Sequence, residues 1–482
     1  ADRRLALGAD LVHRGLGVLG EGSLDPGDLP VRLVGEELPL AVALLPQACH
    51  REGEERQRPP DTLVGRDHLV HESVVLERVP PLPRRLALAP APGGAGGARL
   101  GGGALGAGAG PRTGAAVIAG PRLRDAIVVG GGPAGLALAA GAARAGLDVL
   151  VLERRALPAD KACGEGLLPR AVEALQALGA AALLEPEACA PFGAIRWIDE
   201  GGAVAEARLR RPGGLGVRRV ALSRALLALA RLAGAEIRER VEVCGHRREP
   251  DRVVVEIAEG EERARVLVAA DGLASPVRRR ERLDAPVRGP ARFGLRRHFG
   301  VAPWAEAVEV HFSHGAEAYV TPAGPNRVGV AFLFEGEAPG GFGGLLAGFP
   351  RLRDRLDAVP PDSEALGAGP LRRRARALAA DRVVLLGDAA GYLDAITGEG
   401  LSLGLEAAAD LSRLLPDALA RGAGREAFRP YERAVRARHR RYAAMAGLVL
   451  AMARRPRLRR AVIGGLSRSP TLFSGLVRRA VG

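Results

Sequence analysis

Residues 125–153, DAIVVGGGPAGLALAAGAARAGLDVLVLE, decide the fold. An apolar run, Ile127–Val129, ends in glycines at positions 130, 132 and 135. An Ala/Leu-rich helical stretch follows, and a second apolar run, Val149–Leu152, closes on Glu153. Gly130 permits a tight strand-to-helix turn, and Gly132 lets a pyrophosphate approach the backbone. Gly135 lets helix and strand pack closely. The helix start around Ala134 offers unpaired N–H groups and a positive dipole end to phosphate. Glu153, ending the second strand, stands where a ribose would be hydrogen-bonded. Strand, glycines, helix, strand and acid in this order predict a dinucleotide-binding unit.

Two later segments narrow the reading. Residues 266–278, VLVAADGLASPVR, run an apolar strand into Asp271-Gly272. Residues 383–400, VVLLGDAAGYLDAITGEG, run another into Gly387-Asp388, and then Gly398-Glu399-Gly400 opens a helix. With all three motifs in this order, residues 122–482 resemble the FAD-dependent oxidoreductases of the para-hydroxybenzoate hydroxylase fold. That group includes aromatic-ring monooxygenases, geranylgeranyl reductases and flavin halogenases. The resemblance implies that the first glycine motif holds the ADP half of FAD. It implies that Asp388 hydrogen-bonds the ribityl chain and that Gly398–Gly400 points N–H groups at the flavin ring. Asp271 and Gly272 lie on the cofactor side and are linked to nicotinamide binding. Arg154 is placed near the adenine, Val243 at its edge through the backbone, and Arg219 against the cofactor, with Arg218 as an adjacent rival.

Composition fits a globular enzyme of two or three domains. The formal charge is +14, yet Lys161 is the sole lysine among 69 basic residues. The arginines read as scattered and as the imprint of a GC-rich genome, so nucleic acid is not expected as a partner. Cys49, Cys163, Cys189 and Cys244 have no paired spacing for zinc or a disulfide framework, which fits a reducing cytoplasm. No metal site is expected. No apolar run reaches a membrane span, and Ala443–Ala453 is too short. Peripheral membrane contact stays open.

Residues 1–120 contain no Phe, Trp or Tyr and carry Pro/Gly clusters such as 90–111. They are expected to be mostly disordered, or translated sequence upstream of the true start, with His13, His50, His68 and His71 solvated. The remainder predicts an α/β protein: a Rossmann-like FAD-binding domain, an antiparallel sheet carrying substrate, and C-terminal helices. The expected spans are 122–284 and 376–412 for the FAD-binding domain, 285–375 for the sheet and 413–482 for the helical region. Helices are expected at 169–178 and 221–233, with strands at 235–243 and 252–257. Four alternating segments, 292–300, 308–313, 317–322 and 327–335, predict half-buried antiparallel strands. Nine of the sixteen aromatic residues fall between 285 and 350, which suggests a sheet over an apolar ligand pocket.

Lys161-Ala-Cys163-Gly164-Glu165-Gly166 is similar to the Lys-x-Cys-Gly-x-Gly-Leu segment of geranylgeranyl reductases and their monooxygenase relatives, where it borders flavin and substrate. Lys161 and Cys163 are therefore the candidate catalytic residues. A lone lysine among arginines suggests a constrained ammonium, against the alternative of a plain surface lysine. Cys163 reads equally as a redox or proton-donating thiol and as a small residue under the flavin. His298, His311 and His314 read as substrate partners or as satisfied histidines. The resemblance implies an NAD(P)H-dependent monooxygenase of secondary metabolism, acting on an apolar or aromatic small molecule of polyketide or isoprenoid type. The alternative is a reductase saturating a lipid double bond. Halogenation and a non-catalytic flavin-binding role rank lower.

Overall fold

The structure is a computed structural model and describes residues 122–338 and 340–481. The expectations for residues 1–120 and Cys49 lie outside that range. Strand β1 (Leu123–Val129), helix α1 (Pro133–Arg144) and strand β2 (Val149–Glu153) open the fold. β1 and β2 run parallel, with Ala126 opposite Val149. The strand Gly260–Ala269 lies on the other side of β1, also parallel, and Val383–Leu385 lies beyond it. Glu236–Glu239 extends the sheet past β2. Ile127, Val128, Leu150, Val151, Leu267, Val268, Val383 and Val384 are all buried. Helices cover both faces of such a sheet, which is why these strands read as unbroken apolar runs. Pro133 starts α1, where its missing N–H leaves no intrahelical bond unmade.

The second sheet has seven strands in the order Leu366–Ala368, Arg292–Phe299, Val328–Glu335, Ala316–Pro322, Ala307–Phe312, Ala194–Ile198, Val204–Arg208. All four alternating segments are present as strands. The sheet is not confined to 285–375, however, because Ala194–Ile198 and Val204–Arg208 complete it. Ala194–Ile198 pairs parallel to Ala307–Phe312. Ala316–Pro322 is buried along its whole length rather than on alternate residues, as a central strand packed on both faces must be.

The aromatic concentration is mostly core. Phe332 packs against Phe342 and Phe349, and Phe299 against Phe342, between the sheet and the short helices Gly341–Ala347 and Pro350–Leu356. These rings fill an apolar layer instead of lining an open pocket. The strand expected at 235–243 splits into Glu236–Glu239 and Val243–Arg248, because Arg240 turns the chain at φ +61°.

Helix Gly400–Ala420 runs across the boundary expected at 412. Arg429–Ala453, Pro456–Ser467 and Pro470–Val481 complete the chain. They are fixed to the second sheet. Phe473 packs on Trp197 at 4.7 Å between ring centres, and Arg208 N–H donates to Ser474 Oγ (2.9 Å). Buried Arg459 bonds the Ala453 carbonyl (2.6 Å) and pairs with Asp199 (3.4 Å). The expectation of scattered basic charge fails here: after Glu432 the sequence contains 13 arginines and no acid.

Candidate cofactor site

Three turns far apart in sequence meet at the end of the parallel strands. Gly130 adopts φ +107°, and a β-carbon there would stand 2.4 Å from the Ala270 carbonyl oxygen. One at Gly135 would stand 2.1 Å from the Gly130 oxygen. Both positions therefore need glycine to close the turn. Gly132 differs: no atom lies within 4 Å of where its side chain would be. Its backbone caps α1 with φ −73° and no side-chain cap, so the first N–H groups of the helix face this opening. Ala134 in the first turn lies against the third motif: a β-carbon added at Gly387 would stand 3.0 Å from the Ala134 Cβ.

Glu153 accepts from Gly131 N–H (2.7 Å) and from Arg155 N–H (3.0 Å). Its carboxylate ties the first turn to the loop after β2 and keeps further acceptor capacity for a ribose. Arg154 is exposed, with no ion pair among the described residues. Val243 is partly buried and opens its strand opposite Ile257.

Asp271 is pushed up from its ordinary carboxyl range by burial. Its Oδ2 accepts from Val277 N–H (3.2 Å), while Oδ1 is buried without a partner. Gly272 takes φ +83° beside the Lys161 ammonium. Lys161 also reaches Asp388, with Nζ 3.7 Å from Oδ2, so one partly exposed lysine spans the second and third motifs. Glu399 is buried at the start of helix Gly400–Ala420, where burial raises its pKa to about 7. Thr397 Oγ1 donates to it (3.1 Å). Gly398 has φ +71° and open space around it. Beside Asp388, a small cleft opens between this helix and Arg429–Ala453, with Tyr392, His439 and Tyr442 on its wall.

The Lys161–Gly166 loop lies between these turns and the second sheet. A β-carbon at Gly166 would touch Val308 and Thr321 of that sheet, each at 3.6 Å. Burial pushes the Cys163 thiol up, against the pull of Arg219, so the sulfur holds its proton. Glu165 N–H donates to Cys163 Sγ (3.4 Å). Arg219 is itself buried and lowered by burial, and its Nη1 has no hydrogen-bond partner. Arg218 Nε is likewise buried and unpartnered, so both arginines remain candidates to meet an anion.

Sequence reasoning missed the residues that hold this loop. Glu165 is buried at φ +58°, a conformation costly to a residue with a side chain. Both carboxylate oxygens are engaged, one by Arg219 N–H (2.8 Å) and one by His298 Nε2 (2.6 Å). Arg296 Nη1 lies 3.1 Å from His298 Nδ1, and Nη2 donates to Asp160 Oδ1 (2.5 Å). A guanidinium has only donors, so Nδ1 accepts and the imidazole proton sits on Nε2, facing Glu165. The available signal was the run Arg292, Arg296, His298 on one face of a strand. His311 pairs with Glu309 (3.1 Å), and His314 is exposed. Among the described residues no group of three or more His, Cys, Asp or Glu is placed to hold a metal.

A family model described as an FAD binding domain matches residues 124–331. A menaquinone reductase of Mycobacterium tuberculosis is 32% identical over 334 residues, covering 62% of this chain and 81% of that protein. The chain belongs to the FAD-dependent oxidoreductases of the para-hydroxybenzoate hydroxylase fold. A rifampicin monooxygenase of Streptomyces venezuelae is 35% identical over 170 residues, 32% of this chain and 33% of that one. The solved p-nitrophenol 4-monooxygenase of Pseudomonas putida superposes with a TM-score of 0.63 at 20% identity, covering 74% of this chain and 96% of its own. The family's cofactor, FAD, suits what the residues present: an open approach at Gly132, a free helix start, and unpartnered buried groups on Arg219, Arg218 and Asp271.

Proposed function

We propose that this FAD-dependent oxidoreductase saturates a carbon–carbon double bond in an apolar lipid of isoprenoid or quinone type, with NAD(P)H as reductant in the cytoplasm. The observation that carries the reading is Cys163, a thiol kept protonated by burial in the loop between the cofactor turns and the second sheet. FAD, when bound, supplies the hydride. Cys163 gives its proton to one alkene carbon as the hydride reaches the other, so the π electrons end in the new C–H bond and sulfur is left as thiolate. Arg219 and the Glu165 N–H face that sulfur and favour its negative form until solvent returns the proton. Gly130, Gly132, Ala134 and Gly135 hold the pyrophosphate end in this reading, with Glu153 at the ribose and Arg154 and Val243 at the adenine. Asp271, Gly272, Gly387 and Asp388 line the middle of the cofactor. Lys161 sets the distance between the second and third motifs, and the helix start at Gly398–Gly400 faces the ring.

The match to menaquinone reductase spans most of that protein and supports this order of preference. Monooxygenation stands second, favoured by the shorter match to rifampicin monooxygenase. The test is product mass after the reduced protein meets a polyprenyl quinone without oxygen. Saturation predicts a product that stays heavier by two hydrogens after the quinone ring is chemically reoxidised, because ring reduction alone also adds two hydrogens but is reversed by that step. Product formed only in air, and heavier by one oxygen, overturns saturation in favour of monooxygenation.

A further inference from the structure

The 13 arginines of residues 433–482 face no acid of their own segment, which leaves 56 basic against 55 acidic residues over the other 432 positions. Nearly all the net charge thus resides in the last three helices. Some of these arginines are structural. Arg459 is buried on Asp199, Arg438 pairs with Asp410, and Arg454 pairs with Glu335. Others are not: Arg455, Arg457, Arg468, Arg478 and Arg479 are exposed and have no ion-pair partner among the described residues. The same helices expose large apolar side chains. Leu448 is 67% exposed, Leu472 58%, Leu476 48% and Leu458 44%.

Helix Pro470–Val481 shows how the two features combine. Phe473, Ser474 and Val477 face inward on the second sheet side, as the Trp197 contact and the Arg208 bond require. Leu472 and Leu476, four residues apart and so on one face, point outward together with Arg479. An outward face of leucines flanked by unpaired arginines, with no acid, suits a surface that is apolar within and anionic at its boundary. That describes the interface of a bilayer containing anionic lipids. A nucleic acid would use the arginines and leave the leucines without a role.

We propose that the three C-terminal helices dock the protein on an anionic membrane surface, with Leu448, Leu458, Leu472 and Leu476 in the interface and the arginines over lipid headgroups. The proposal rests on the reading of an apolar lipid substrate, since such a substrate resides in the bilayer. The anchoring of these helices to the second sheet would hold that sheet, and the Lys161–Gly166 loop against it, at a fixed place relative to the lipid.

The experiment is flotation of the full chain, loaded with FAD and without substrate, on vesicles of phosphatidylglycerol and phosphatidylcholine, or of phosphatidylcholine alone. Binding is expected on the anionic vesicles and weakened by salt. Each arginine removed in an Arg478→Gln, Arg479→Gln variant should lower partitioning roughly fivefold. A Leu472→Ser, Leu476→Ser variant should lower it roughly tenfold or more, with FAD content unchanged. No binding to anionic vesicles, or binding unaffected by the leucine changes, overturns the proposal. So does tight binding of duplex DNA that depends on the arginines alone. Vesicle binding is scored without turnover. A protein that docks but reduces no lipid leaves this surface standing and removes the proposed reaction, and one that reduces detergent-dissolved lipid but does not dock does the reverse.

Discussion

Glu399 shows how one residue can couple the site to pH. Burial raises its carboxyl from 4.5 to about 7 in the folded protein. Its neutral form leaves the start of helix Gly400–Ala420 electrically positive, whereas ionisation would offset that end of the helix dipole. A raised folded-state pKa means that this group's contribution is fully present below about pH 4.5 and is lost as pH rises through about 7. The loss amounts to roughly 3 kcal/mol at full ionisation. Glu399→Gln should therefore melt like the parent in acid and above it in alkali, a difference that thermal scans across that range would detect. Glu165 has a structural part, because both its oxygens are taken. Glu165→Ala leaves His298 Nε2 buried without its acceptor and Arg296 with Asp160 alone, and should cost roughly 1–3 kcal/mol in denaturant unfolding. Unchanged stability would mean that this pair does not hold the loop.

Among elements, the first turn separates folding from binding. Gly132 has ordinary backbone angles and open space, so Gly132→Val should fold and, compared with the parent stripped of FAD, melt like it while failing to retain FAD. Gly135→Val drives a side chain into the Gly130 carbonyl and should lose stability by roughly 1–3 kcal/mol or more. Flavin absorbance and melting temperature, measured on both variants, check the distinction. This turn was legible in the sequence because its requirements are local: φ at Gly130 and close approach at Gly135. The strand Arg292–Phe299 was legible only in part. Its alternation predicted the element, but alternation ordinarily means a wet polar face. Here Arg292, Arg296 and His298 are buried, because Asp160, Glu165, Glu317 and Asp394 arrive from distant segments to meet them. No period within a strand reports such partners.

Across the molecule, the cofactor turns and the second sheet are joined through buried polar contacts. Arg292 pairs with Glu317 (2.6 Å) and with Asp394 (3.1 Å), and Tyr319 OH donates to the Ile396 carbonyl (2.7 Å). Tyr442 from helix Arg429–Ala453 donates to the Asp394 carbonyl. These bonds fix the segment between Gly387-Asp388 and Gly398–Gly400. Composition taken over the whole chain hid a second global feature, since an average charge does not show that one end carries it. The central claim is that a partly buried Cys163, its thiol pushed up from its ordinary range, completes a reduction begun at the flavin. Its most direct test is the anaerobic rate at which the reduced protein forms the side-chain-saturated product from a polyprenyl quinone, in the parent and in Cys163→Ser. The account predicts equal FAD content and a rate lower by roughly 100-fold or more in the variant, because a hydroxyl is a far weaker acid than a thiol. Equal rates in the two proteins would contradict it.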